Sequence, residues 1–97
     1  MKTDRELLEL AAKAAGIKLE SGCLLIGGRW STWNPLTNDG DALRLAVKLG
    51  LTIVPNYYAE QQSLGITAFT ELEDSPDFCA ATRRAIVRAA AEIGVAL

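Results

Sequence analysis

The chain contains no histidine. That removes the side chain most often used as a general base, and the commonest metal ligand, near neutral pH. Ser-His-Asp and Cys-His nucleophilic sites are therefore excluded within one chain. Cysteine is scarce. Cys23 and Cys79 are the only two, too far apart in sequence for a zinc-binding spacing. Both fall in apolar runs and are expected as buried thiols; a disulfide would require the fold to bring them together. A surplus of positive charge is also missing. Ten basic and twelve acidic residues give a net charge of −2, which argues against a dedicated nucleic-acid binder, whose phosphate contacts need clustered Lys and Arg. No run approaches the roughly 20 apolar residues of a membrane-spanning helix. The opening "MKTDRELLEL" is charged and amphipathic, unlike a secretory signal. The expectation is a soluble cytoplasmic protein with no membrane association and no cofactor. No linker, low-complexity stretch or internal repeat is evident, so residues 1–97 read as a single domain. An apolar content of 49% is enough for a core, and much of it is alanine, which suits elements packed closely together.

The apolar spacing then gives the elements. In "TDRELLELAAKAAG", Thr3 and Glu6 have capping-box spacing. Leu7, Leu10, Ala11 and Ala14 form a stripe at helical intervals, flanked by Leu8, Ala12 and Ala15. Arg5, Glu9 and Lys13 fall on the solvated face, and Gly16 is placed to end the helix. "CLLIGGRWST" reads as a β-hairpin turning at Gly27-Gly28, with Ile26 opposite Arg29 and Leu25 opposite Trp30. Cys23, Leu25, Trp30 and Thr32 share one face, which suits the core. In "WNPLTNDGDALRLAVKLG", Asn34 is pushed toward extended geometry by Pro35. Thr37 or Asn38 caps the next helix, and Asp39 and Asp41 favour its positive end. Leu43 with Val47, and Ala42 with Ala46 and Leu49, are expected inside; Asp41, Arg44 and Lys48 are expected outside. Gly50 is the stop.

"LTIVPNYYAEQQ" and "ITAFTEL" read as a second hairpin, 51–61 to 66–72, in which Pro55 marks an edge strand, a bulge or a break into two strands. In "SPDFCAATRRAIVRAAAEIG", Ser75 caps, Pro76 fits the first helical position and Asp77 favours the dipole. Cys79, Thr82, Ile86, Ala89, Ala90 and Ile93 form the buried stripe, Arg84 and Arg88 lie on the open face, and Gly94 closes the helix. The order is helix, hairpin, helix, hairpin, helix. It predicts an α+β fold, an antiparallel sheet of about three to four strands covered by three helices in an α/β/α sandwich.

Candidate chemistry is thin. "NDGD" (Asn38 to Asp41) lacks the alternating ligands and distant Glu of a calcium loop; helix capping explains the same residues. Gly27-Gly28 lacks the flanking pattern of a phosphate-binding loop. Trp30, Trp33, Tyr57 and Tyr58 offer stacking surfaces, but packing in or against the core is the ordinary fate of such rings. Trp33 falls outside the hairpin and is the candidate for an exposed contact, together with Asn34. Arg83, Arg84 and Arg88 make a small basic patch, either a solvated helix face or a docking surface for an acidic protein or a nucleic-acid backbone. Glu71, Glu73, Asp74 and Asp77 read as a solvated loop and helix start, with no sign of the cleft that carboxylate catalysis needs.

Three segments, "RELLELAAKAAG", "WNPLTNDGDALRLAVKLG" and "ATRRAIVRAAAEIG", in this order, resemble the small phage and prophage proteins of the phage ABA sandwich domain family. They cover nearly half of the chain, and the second is the most distinctive. The resemblance implies an α/β/α sandwich and brings no biochemical activity, catalytic residue or metal ligand. The functional expectation is a non-enzymatic protein-interaction module of the bacterial host cytoplasm, binding a host or phage protein through Trp33, Asn34, Arg84 and Arg88, as a monomer or homodimer. The alternative is a nucleic-acid accessory protein using Arg83, Arg84 and Arg88.

Overall fold

The computed structural model describes residues 2–20, 23–26, 29–54, 58–61, 66–69 and 78–97. The Thr3 side chain accepts the Glu6 N–H at 3.2 Å, and the Thr3 N–H donates back to the Glu6 carboxylate at 3.4 Å. This capping box satisfies two amides that the first helical turn leaves over. Helix α1 runs Asp4–Ala15 and stops at Gly16, whose φ of 70° is the left-handed conformation glycine adopts without strain. Ala11, Ala12 and Ala15 are buried, with Leu7 and Leu8 packed at their margin. Arg5 and Glu9 pair across one turn on the solvent side at 3.2 Å.

Strands β1 (Leu19–Glu20), β2 (Cys23–Ile26) and β3 (Arg29–Thr32) form an antiparallel sheet in that order. Leu25 pairs with Trp30 and Ile26 with Arg29, the register a two-residue turn requires; Gly27 and Gly28 themselves lie outside the described residues. Of the face expected in the core, Cys23, Trp30 and Thr32 are described, and none of the three is buried. Every residue of β3 is exposed, Trp30 at 57%, and Cys23 is half-buried. The physical reason is layering: the helix that covers sheet lies on other strands.

Helix α2 (Asp39–Leu49) is capped by Asn38, not Thr37, and ends at Gly50 with φ 63°. Its inner face is Asp41, Ala42, Leu45 and Ala46, so Ala42 and Ala46 are inside as expected, while Asp41 is inside and Leu43 and Val47 are not. Leu43 and Val47 are 61% and 72% exposed. Strands β4 (Thr52–Val54), β5 (Tyr58–Gln61) and β6 (Ile66–Phe69) make a second antiparallel sheet. Segment 51–61 is thus two strands, with Pro55 between them in sequence. Ala59 and Ala68 are register partners and both are buried.

Helix α3 (Phe78–Ala96) packs on β5 and β6 and also against α1 and α2. Being covered on several sides, it buries more than one stripe: Ala81, Ala85 and Val87 are inside along with Ile86, Ala89, Ala90 and Ile93. Cys79, expected inside, is exposed in the first turn of α3. The proposed cap residues Ser75, Pro76 and Asp77 lie outside the described residues. Gly94 does not close the helix. It sits within α3, buried, where an added methyl would overlap the carbonyl oxygen of Leu10 and lie 2.8 Å from its carbonyl carbon.

The result is a mixed α+β arrangement in which, among the described residues, three helices and two three-stranded sheets replace the single sheet expected. Buried residues of all three helices join those of β5 and β6 in one core. The order helix, left-handed glycine, three antiparallel strands occurs twice before α3. After each glycine the same bond recurs: Ile17 N–H to Ala12 O at 2.8 Å, and Leu51 N–H to Ala46 O at 2.9 Å. No repeat is evident in the sequence because so few side chains are shared.

Candidate interaction surface

The distinctive stretch from Trp33 to Arg44 is a closed set of hydrogen bonds. The Asn34 N–H donates to the Asp41 carboxylate at 3.0 Å, and Asn34 Oδ1 accepts the Leu36 N–H at 3.0 Å. Asn34 O accepts the N–H groups of Thr37 and Asn38 at 3.1 and 2.9 Å. Asn38 Oδ1 accepts the Asp41 N–H at 2.9 Å, and Arg44 donates to the other Asp41 oxygen at 2.6 Å. Asp41 is turned inward by these partners, and this sets the phase of α2. In "NDGD" the cap is Asn38, while Asp41 holds Asn34 and Arg44 and Asp39 pairs with Arg83.

This geometry corrects the expected site. Trp33 is only 6% exposed and belongs to the core, while Trp30 is the exposed indole. The chain leaves β3 and dives inward at Trp33, held by the Asn34–Asp41 bond, with Pro35 fully buried behind it. Asn34 is half-buried and its polar groups hold the turn. Trp33 and Asn34 do not present a stacking surface.

The three arginines do not form one open patch. Successive helix residues point about 100° apart, so Arg83 and Arg84 reach different neighbours. Arg83, its side chain 16% exposed, donates to Leu36 O at 2.8 Å and to Asp39 at 2.5 Å. Arg84 grips Asp4 through two nitrogens at 3.1 and 3.4 Å. Arg88 is half-buried and is also engaged. Arg83 and Arg84 tie α3 to the starts of α2 and α1.

The surface that is open lies elsewhere. A shallow apolar cleft of about 410 Å³ separates α2 from β4 and the first turns of α3. Ala42, Leu43, Ile53, Phe78 and Ile86 line it, with Cys79, Thr82 and the Arg83–Asp39 pair adding its polar atoms. Leu43 and Phe78 are largely exposed, and Val47, one turn beyond Leu43, continues the apolar stripe along α2. One residue further round run the exposed Arg44 and Lys48. A signal existed in the sequence: α2 has apolar residues at 42, 43, 45, 46, 47 and 49, more than a helix with one buried face uses. Among the described residues no cluster of three or more Cys, Asp or Glu is placed to hold a metal ion, and no helix is long and apolar enough to cross a membrane.

Comparisons with protein-family models, with curated proteins and with solved structures give no match.

Proposed function

We propose that this chain is a non-enzymatic protein-interaction module of phage or prophage origin, acting in the cytoplasm of a bacterial host. The resemblance of its three quoted segments to the phage ABA sandwich family motivates the origin and the finer α/β/α reading. One observation of the molecule carries the interaction reading: the apolar cleft continues outward into exposed Leu43, Val47 and Phe78. Contiguous exposed apolar surface beside charged side chains is characteristic of a docking site. The nucleic-acid alternative has less to rest on, since Arg83 and Arg84 are each paired with an aspartate and offer little surplus charge to phosphates.

The test is capture from a bacterial lysate with the tagged protein beside two variants, Leu43→Gln/Val47→Gln and Arg84→Glu/Arg88→Glu. The expected result is a partner retained by the second variant and lost with the first. Partners recovered equally by all three proteins, or none recovered by any, would count against the reading.

A further inference from the structure

The edge of the first sheet is a separate surface and does not depend on the cleft. Strand β3 ends the order β1-β2-β3, and all four of its residues are exposed. The edges of the second sheet are more covered: Ile53 and Val54 of β4 and Ile66 of β6 are half-buried, and Ala68 is buried. The register decides which main-chain groups of β3 are left over. Two residues separate Ile26 from Arg29, and a closing pair with so short a connection exchanges both of its hydrogen bonds. Such pairs alternate with pairs that exchange none. Arg29 and Ser31, opposite Ile26 and Leu24, therefore bond to β2. Trp30 and Thr32, opposite Leu25 and Cys23, turn their N–H and C=O groups outward. Among the described residues nothing takes these groups up. Open edges are commonly blunted by proline, a charge or a bulge. Trp30, Ser31 and Thr32 carry no proline and no charge, and their register is continuous.

We propose that β3 pairs antiparallel with β3 of a second copy about a two-fold axis at Ser31, joining two three-stranded sheets edge to edge. The outward groups restrict the register. Trp30 opposite Ser31 sets outward groups against inward ones. Trp30 opposite Trp30 leaves Thr32 facing past Arg29, the first residue of the strand. Trp30 opposite Thr32 of the second copy, and Thr32 opposite its Trp30, satisfies every outward N–H and C=O of both strands. The two Arg29 residues then lie four positions apart, about 13 Å along the strand, which is beyond the screening length of about 10 Å at 0.1 M salt. The two Trp30 rings fall on one face as diagonal neighbours, about 7–8 Å apart and within reach of aromatic side chains. Each covers an indole that is 57% exposed in the single chain. This self-matching singles out a second copy over a foreign strand, because the same residues supply every donor, every acceptor and the second indole. The contact is isologous and closes at two copies. So short a pairing lies below the roughly 1,200 Å² of a standard interface. The dimer is therefore weak, with a Kd on the order of 0.1 mM, and the chain is monomeric when dilute.

The experiment is sedimentation equilibrium of the full chain from about 10 μM to 1 mM, with Ser31→Lys, Ser31→Glu, Thr32→Pro and Leu43→Gln/Val47→Gln beside it. Ser31 and Thr32 are exposed, and amide dispersion confirms that each variant is folded. The expected result is monomer at the low end and mostly dimer at the high end. Ser31→Lys or Ser31→Glu alone sets like charges directly opposite each other and weakens the dimer about tenfold or more. An equimolar mixture of the two sets Lys against Glu and restores it. Thr32→Pro removes an outward N–H and spares the bonds to β2, and it weakens the dimer as well. Leu43→Gln/Val47→Gln leaves it unchanged. A chain still monomeric at the high end overturns the inference, as does a dimer indifferent to charge at position 31. Loss in both charged variants without rescue by their mixture overturns the two-fold at Ser31. A dimer removed by Leu43→Gln/Val47→Gln moves the contact to α2 and overturns the inference too.

Discussion

Gly94 of α3 lies directly against the backbone of Leu10 in α1. A methyl built on Gly94 overlaps the Leu10 carbonyl oxygen and comes within 2.8 Å of the carbonyl carbon. The obstacle is main chain, which has no rotamer to change. The two helices approach this closely because their facing surfaces are rich in alanine, and the abundance of alanine in the sequence is a consequence of that geometry.

Gly94→Ala tests the contact with opposing signs. Helix propensity alone favours alanine by about 1 kcal/mol. Overpacking against fixed backbone costs about 1–3 kcal/mol. The expected net is a loss of stability, read as a lower urea midpoint with an unchanged slope. A rise in the midpoint would mean that propensity wins and that α1 and α3 are further apart than described.

Arg83 and Arg84 are alike in sequence and differ in the fold. Arg83 is largely buried and donates to a carbonyl as well as to Asp39; Arg83→Ala leaves the Leu36 carbonyl without that donor and is expected to cost about 1.5–3 kcal/mol. Arg84 and Asp4 are 40% and 64% exposed, and an exposed pair contributes at most about 1 kcal/mol. Urea unfolding of the two alanine variants should separate them; equal losses would contradict this division.

Local signals were legible and tertiary ones were not. The Thr3–Glu6 box, the left-handed glycines at 16 and 50, the cap at Asn38 and the 25–30 strand register all follow from short-range chemistry, and each is found. The misread features all depend on what packs where. Gly94 looks like a helix stop until α1 is known to lie against it. Leu43 and Val47 look like core because nothing local reveals that Asp41, bonded to Asn34, faces inward. The face of β3 looks buried because the hairpin pattern cannot show that α3 covers β5 and β6 instead. The arginines of α3 look like one patch because nothing local shows that aspartates distant in sequence claim Arg83 and Arg84. The exposure of Leu43 and Val47 is hidden for the same reason, because their spacing reads as interior.

The phase of α2 is open to a direct check. With Leu43 and Val47 exposed, Leu43→Gln/Val47→Gln should leave stability within about 0.5 kcal/mol per site. Leu45 is 2% exposed, and Leu45→Ala should cost about 2–5 kcal/mol. The reverse pattern would restore the phase expected from the sequence and remove the proposed surface.

The two tryptophans give the last contrast, and each can be isolated by replacing the other with phenylalanine. Trp33, 6% exposed, is expected to emit in the blue and resist acrylamide; Trp30, 57% exposed, should emit near the wavelength of free indole and be quenched readily. Asp41 links this optical difference to the turn, because its carboxylate holds the Asn34 N–H at 3.0 Å beside Trp33. Asp41→Ala leaves that amide without its charged acceptor, at a cost of about 1–3 kcal/mol, and should raise the quenching of Trp33 while leaving Trp30 unchanged. Trp33→Ala should cost about 3–5 kcal/mol and Trp30→Ala about 0.5 kcal/mol or less. A quenched, blue-shift-free Trp33 would return it to the surface and reopen its role as a contact residue.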